Sequence, residues 1–165
     1  MRGVAKAVVA VILSSAAILV LLNLAFFFPW YMTLINETYN VSQIVAGDNY
    51  MKQMHYDDAM ERLKERPIFR DKQDKIKIEI MNADNREAVG SNDETDYYNV
   101  DESQKPYLQR GEPLTVKISA VYPFTVTLWG KKFEQELPVS FSMSTTGLKH
   151  YKDLDYYSND WDDGS

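Results

Sequence analysis

Few residues in this chain of 165 could do chemistry, and their spacing limits what they could do. There are two histidines, His55 and His150, and no cysteine. Neither histidine has a second histidine at ligand spacing, and neither has a serine–acid set that would build a nucleophilic triad. Without cysteine there is neither thiolate catalysis nor a disulfide. No Gly-x-Ser-x-Gly and no phosphate-cradling glycine loop occurs. Adjacent acids stand, for example, at Asp57-Asp58 and Asp162-Asp163. Such pairs act as acid and base only where burial separates their pKa values. Both lie in polar sequence, so solvated charge is expected. Asp153, Asp155, Asp160 and Asp162 offer hard oxygen ligands for calcium, but without the glycine and terminal glutamate of an EF-hand loop. No catalytic or cofactor site is expected.

The elements explain this poverty. Val4 to Phe28 is almost wholly apolar, with Lys6 as its single charge and Ser14, Ser15 and Asn23 as polar interruptions. A bilayer crossing needs about 20 such residues as a helix. A cleaved secretory signal is the competing reading, but the apolar run continues past Ala17 and exceeds the usual short core. Arg2 and Lys6 lie on the short side, which places the N-terminus in the cytoplasm. Phe26, Phe27, Phe28, Trp30 and Tyr31 form an aromatic belt for the far interface. The expected division is a cytoplasmic stub and membrane helix over 1–30, an extracytoplasmic domain over 31–150, and an acidic tail over 151–165.

Arg2 and Lys6 are the only charges of the first 30 residues, so the net charge of −6 leaves −8 on the rest. An acidic domain repels phosphate backbones, which argues against nucleic acid as a partner. Past Pro29, the spacing of Leu34, Thr38, Val41 and Val45 extends the helix, with Ile35 and Tyr39 beside the stripe, to a stop at Gly47-Asp48. Tyr56–Arg66 reads as a second helix capped by Asp57 or Asp58 and ended by Pro67. Helices are thus expected over about 31–66.

Period-two alternation predicts strands at about 75–81, 113–122, 124–129 and 133–143. Pro123 separates the second from the third, Gly130-Lys131-Lys132 turns the chain, and Pro138 marks an edge strand. Asn82 to Lys105 reads as an acidic loop, with Tyr97–Val100 as a short strand within it. The fold class is α+β: an antiparallel meander whose one apolar face is covered by the helices, including Met51, Met54 and Leu63.

This order of basic N-terminus, membrane helix flowing into an amphipathic helix, and late antiparallel sheet resembles the type IV pilin superfamily. Gln43–Gly47, Leu63-Lys64-Glu65, Tyr122-Pro123 and Gly147–Lys152 are nearest to Tad-type (TadE-like) pseudopilins and related single-pass proteins of Gram-positive bacteria. The resemblance implies a processing site at Gly3 and other pilin-like or assembly subunits, including self, as partners besides the lipid bilayer. Val8 stands where the family carries a glutamate, and the first acid is Glu37. That departure points away from a major pilin, towards a minor, priming or capping subunit or an unprocessed one. Ala7, Ala10, Ser14, Ser15 and Ala17 are the candidate residues for close packing between anchors. The expected function is a membrane-anchored structural subunit of a pilus, secretion or conjugation assembly. The alternative is an anchored binding module that presents its acidic loop and tail to a partner.

Overall fold

A computed structural model describes residues 2–128 and 130–151. It is α+β, built on one long N-terminal helix, α1 (Arg2–Asp48). Proline removes one intrahelical hydrogen bond, yet the helix runs on through Pro29. Thr33 Oγ1 donates to the Pro29 carbonyl at 3.0 Å, which ties the next turn to it. The expected stripe is in place: Leu34, Thr38, Val41 and Val45 are fully buried, while Tyr39 turns out to solvent. Glu37 shares that face and is also buried, with the Arg66 guanidinium donating to its carboxylate. A buried charge needs such a partner, and here the pair staples α1 to the end of α2.

The helix ends at Asp48, within the expected Gly47-Asp48 stop, but the residue that turns the chain is not a glycine. Asn49 takes the left-handed conformation (φ 61°) that ends it; asparagine tolerates this region because its side chain can bond locally. A two-residue strand, β1 (Met51–Lys52), leads into α2 (Gln53–Glu65). That helix starts earlier than the acids suggested. Asp57 and Asp58 lie in its body, and Asn92 Oδ1 accepts the Met54 backbone N–H instead. Met51 and Leu63 enter the core as expected, but Met54 is exposed. A 3₁₀ segment (Pro67–Lys75) follows Pro67 and buries Phe69.

The main sheet has the order β2-β4-β5, with β2 at Lys77–Asn82, β4 at Pro113–Leu128 and β5 at Lys131–Thr146. Both pairings are antiparallel. The division at Pro123 is corrected: β4 is one strand of 16 residues. Proline is tolerated in a ladder where its missing N–H faces an open edge. β2 pairs with β4 only as far as Ser119, so Pro123 has β5 on one side alone. Pro138 sits in β5, an edge strand as expected. A second, two-stranded sheet stands apart from this antiparallel one. β1 pairs in parallel with β3 (Val89–Gly90) inside the acidic loop. Tyr97 ends a 3₁₀ turn (Glu94–Tyr97) rather than opening a strand.

The chain closes on the far end of α1. Leu148 N donates to the Ala46 carbonyl at 2.9 Å. The Asn49 carboxamide accepts from Lys149 N at 2.9 Å and donates to the carbonyls of Leu108 and Lys149 at 2.8 and 2.7 Å. Tyr151, expected in a solvated tail, is buried and stacked on Tyr107 with ring centroids 3.8 Å apart. Its hydroxyl donates to the Asp48 carbonyl. Burial first, then nearby carboxylates, pushes the phenols of Tyr50 and Tyr151 above their ordinary value.

A Cβ added at Gly147 would lie 2.5–2.8 Å from the Asn49 carboxamide, whereas one at Gly47 meets nothing within 4 Å. Gly147→Ala is therefore expected to destabilise the domain by about 1–3 kcal/mol, and Gly47→Ala to stabilise it by about 0.5–1 kcal/mol, both read by urea unfolding in detergent. The raised phenols also set a pH window. The folded state keeps protons that the unfolded state loses above the ordinary phenol value of 10.0. Their contribution is complete below that pH and is lost as pH rises. Phenolate absorbance of Tyr50 and Tyr151 should appear only together with loss of the far-UV circular dichroism signal.

Candidate membrane and partner interface

α1 contains an 18-residue window apolar enough to cross a membrane, and none of that window is buried. Val4, Leu13, Leu24, Phe26 and Phe28 are each 60% or more exposed. The polar interruptions are quiet. Ser15 Oγ donates to the Val11 carbonyl at 2.8 Å and Asn23 Nδ2 to the Leu19 carbonyl at 3.0 Å. Backbone-bonded serines and amides of this kind are tolerated in lipid.

The aromatic belt divides in two. Phe26 and Phe28 point outward, but Phe27, Trp30 and Tyr31 pack onto the sheet. Trp30 is buried and meets Phe69 and Tyr122 edge-on at 5.4 and 5.3 Å. Phe27 meets Tyr122 edge-on at 5.1 Å. The Tyr122 hydroxyl then donates to the Asn23 carbonyl at 3.0 Å, well inside the apolar run. This joint between rod and sheet was missed in the sequence. The one available signal was helical spacing: Leu19, Asn23, Phe27, Trp30 and Leu34 form a single line along α1.

Ala7, Ala10, Ser14 and Ala17 recur at i, i+3, i+7 and i+10. At 3.6 residues per turn they fall on the side of α1 opposite that line. Ser15 does not share their row. All five are exposed. Gly3 is helical and exposed, and a Cβ there would meet nothing within 4 Å. The calcium candidates Asp153, Asp155, Asp160 and Asp162 lie outside the described residues. Among the described residues no group of three or more His, Asp or Glu side chains could hold a metal ion. His55 and His150 are not brought together: His55 sits on α2, and His150 lies beside Arg110 at 3.3 Å. Asp57 lines an open depression of about 420 Å³ between α2 and the 3₁₀ segment, with Glu61, Lys64 and Gln73.

The acidic loop is tied into the fold. Lys149 bonds Glu94 and lies 3.5 Å from Asp48. Lys105 bonds Glu102 at 2.7 Å. Arg86 reaches Asp84 at 2.8 Å. Asp93 accepts the backbone N–H and hydroxyl of Thr95, which holds its carboxyl below the usual range.

The two halves of the belt should respond differently to truncation. Trp30→Ala is expected to cost the domain about 3–5 kcal/mol, the range for a buried aromatic. Phe26→Ala should leave domain stability within about 0.5 kcal/mol, as for a residue outside the core. Near-UV circular dichroism during urea unfolding in detergent distinguishes them. No family model, no curated protein and no solved structure matches this chain.

Proposed function

We propose that this chain is a membrane-anchored structural subunit, without catalytic chemistry, of a pilus-like or secretion assembly outside the cytoplasm. Its N-terminus lies in the cytoplasm, and its anchor packs against other anchors, its own copies included. The observation that carries this reading is the continuity of α1. One helix of 47 residues is both the membrane-length rod and the spine of the folded domain. Load applied to the rod therefore reaches the core through the Trp30 and Glu37 contacts rather than through a linker. The sheet occupies one side of the rod and leaves the row of Ala7, Ala10, Ser14 and Ala17 open, where small side chains allow close helix approach. The missing early acid and the buried Glu37 favour a minor or priming role over that of a bulk fibre subunit. The alternative, a loop-presenting binding module, has less support. The charges of Asp84, Glu94 and Glu102 are engaged by Arg86, Lys149 and Lys105 within the domain.

The chain has no native cysteine, so single replacements report cleanly. Ala10→Cys and Ala17→Cys are expected to form disulfide dimers or partner adducts in native membranes, while Asn23→Cys, on the covered side, forms none. Equal crosslinking at all three positions, or at none, would sink the packing reading.

A further inference from the structure

The β4–β5 hairpin has a direction that its burial pattern makes informative. Successive contacts order it along α1. Leu148 lies at Ala46, Met143 Sδ is 3.4 Å from Ser42 Oγ, Phe141 stacks edge-on with Tyr31 at 6.3 Å, and Tyr122 reaches Asn23. β5 thus runs parallel to the helix and β4 antiparallel to it, and the hairpin turn points towards the N-terminal, membrane-length half of α1. Beyond Tyr122, β4 continues six residues to Leu128, about 20 Å at ~3.3 Å per residue.

A course parallel to α1 would carry the turn towards mid-bilayer. From Lys6 to Asn23 the helix rises only about 26 Å, against a hydrocarbon core of about 30 Å. A two-stranded ribbon leaves backbone edges unpaired, and lipid does not tolerate open edges at that depth. The exposure of β5 fits a ribbon that leaves the rod instead, with Phe124 of β4 the last side chain packed against the core. Leu19 is the last residue of α1, going towards its N-terminus, that is partly covered. Residues 131–138 of β5 are all exposed. Right-handed sheet twist accounts for such divergence.

The ribbon that splays away is amphipathic in a particular sense. The register pairs Tyr122 with Leu137, Phe124 with Gln135, and Val126 with Phe133. These continue the face that covers α1, with Lys131 next on it. Phe133 is 55% exposed and Leu137 39%. That face holds a lysine and no acid. The opposite face carries Glu134 and Glu136, paired with Lys132 and Lys72.

We infer that this distal ribbon lies on the bilayer surface from which α1 emerges. Phe133 and Leu137 enter the boundary between headgroups and acyl chains, and Lys131 sits at the lipid phosphates. Aromatic and long cationic side chains are the residues that settle at this depth. The occupant is the lipid surface because α1, bonded to the base of the same ribbon at Asn23, is the element that enters it. The inference rests on α1 being the membrane span, and the test separates the two. The full-length chain, carrying one spin label, is placed in vesicles of phosphatidylcholine and phosphatidylglycerol. Labels are introduced through Phe133→Cys, Glu134→Cys, Glu112→Cys and Val11→Cys. Collisions with oxygen and with a water-soluble nickel chelate are then measured. The expected result is a loss of nickel accessibility at position 133, with oxygen accessibility kept, while 134 and 112 stay open to nickel. Position 133 behaving like 134, with 11 lipid-buried, overturns the ribbon and leaves the anchor standing. Position 133 shielded from both reagents means protein cover, which also overturns it. Position 11 open to nickel removes the span itself.

Discussion

A single α-helix cannot change its register partway along, and that constraint governs this molecule. α1 passes from an apolar stretch without burial into the centre of a folded core, and its side chains repeat every 3.6 residues throughout. The line that faces the sheet, from Leu19 through Asn23, Phe27 and Trp30 to Leu34, is therefore fixed on both sides of Pro29. Any residue at the boundary has to suit two surroundings. Trp30 and Tyr122 do so through large apolar rings whose edge-on contacts hold the sheet to the rod. Asn23 does so by satisfying its amide within the helix while its carbonyl accepts the Tyr122 hydroxyl.

At the other end the problem is different. Helix ends leave four carbonyls without intrahelical partners. Here the last segment of the described chain returns to supply two of them: Leu148 bonds Ala46 and Tyr151 bonds Asp48. Asn49 joins three segments at once, because its left-handed backbone aims the carboxamide at Leu108 and Lys149. The tyrosines of this region, Tyr50, Tyr107 and Tyr151, fill the space that the two-residue parallel pair cannot cover. A domain with a small main sheet is thereby closed from residue 30 to residue 151.

Periodicity made the long helix, the α+β class and the strand faces readable, because each depends on spacing within one element. Leu34, Val41 and Val45 were legible for that reason, as were Ile78, Ile80 and the even residues of β4. What failed depended on partners distant in sequence. Asp57 and Asp58 resemble helix caps until Asn92, far along the chain, is seen to take that role for α2. Pro123 resembles a strand break until the extent of β2 shows which edge is free. Tyr151 resembles part of a solvated tail because its stacking partner, Tyr107, is 44 positions away. Alternation alone puts Phe133 and Leu137 on the apolar face of the strand at 133–143. Their register was right, but the helix that should cover them has already parted from the strand. The candidate interface was half legible: the row of small residues could be read from spacing, whereas the Tyr122–Asn23 joint needed the fold.

The arrangement also bears on how the rod stands in a membrane. An isolated apolar helix can tilt and rotate at little cost, since hydrophobic length alone does not fix its angle. A domain rigidly joined to the helix removes that freedom if any second part of it meets the same surface. The distal ribbon, which continues beyond the Tyr122–Asn23 joint, is such a part if it lies on lipid. Its apolar face and the sheet-facing line of α1 are continuous, so contact with lipid there would set the rotation of the helix about its axis. The row of Ala7, Ala10, Ser14 and Ala17 lies opposite that line and would then face away from the ribbon. A neighbouring anchor could approach closely on that side without displacing the ribbon. The sheet that stabilises the domain would also orient the rod for its partners.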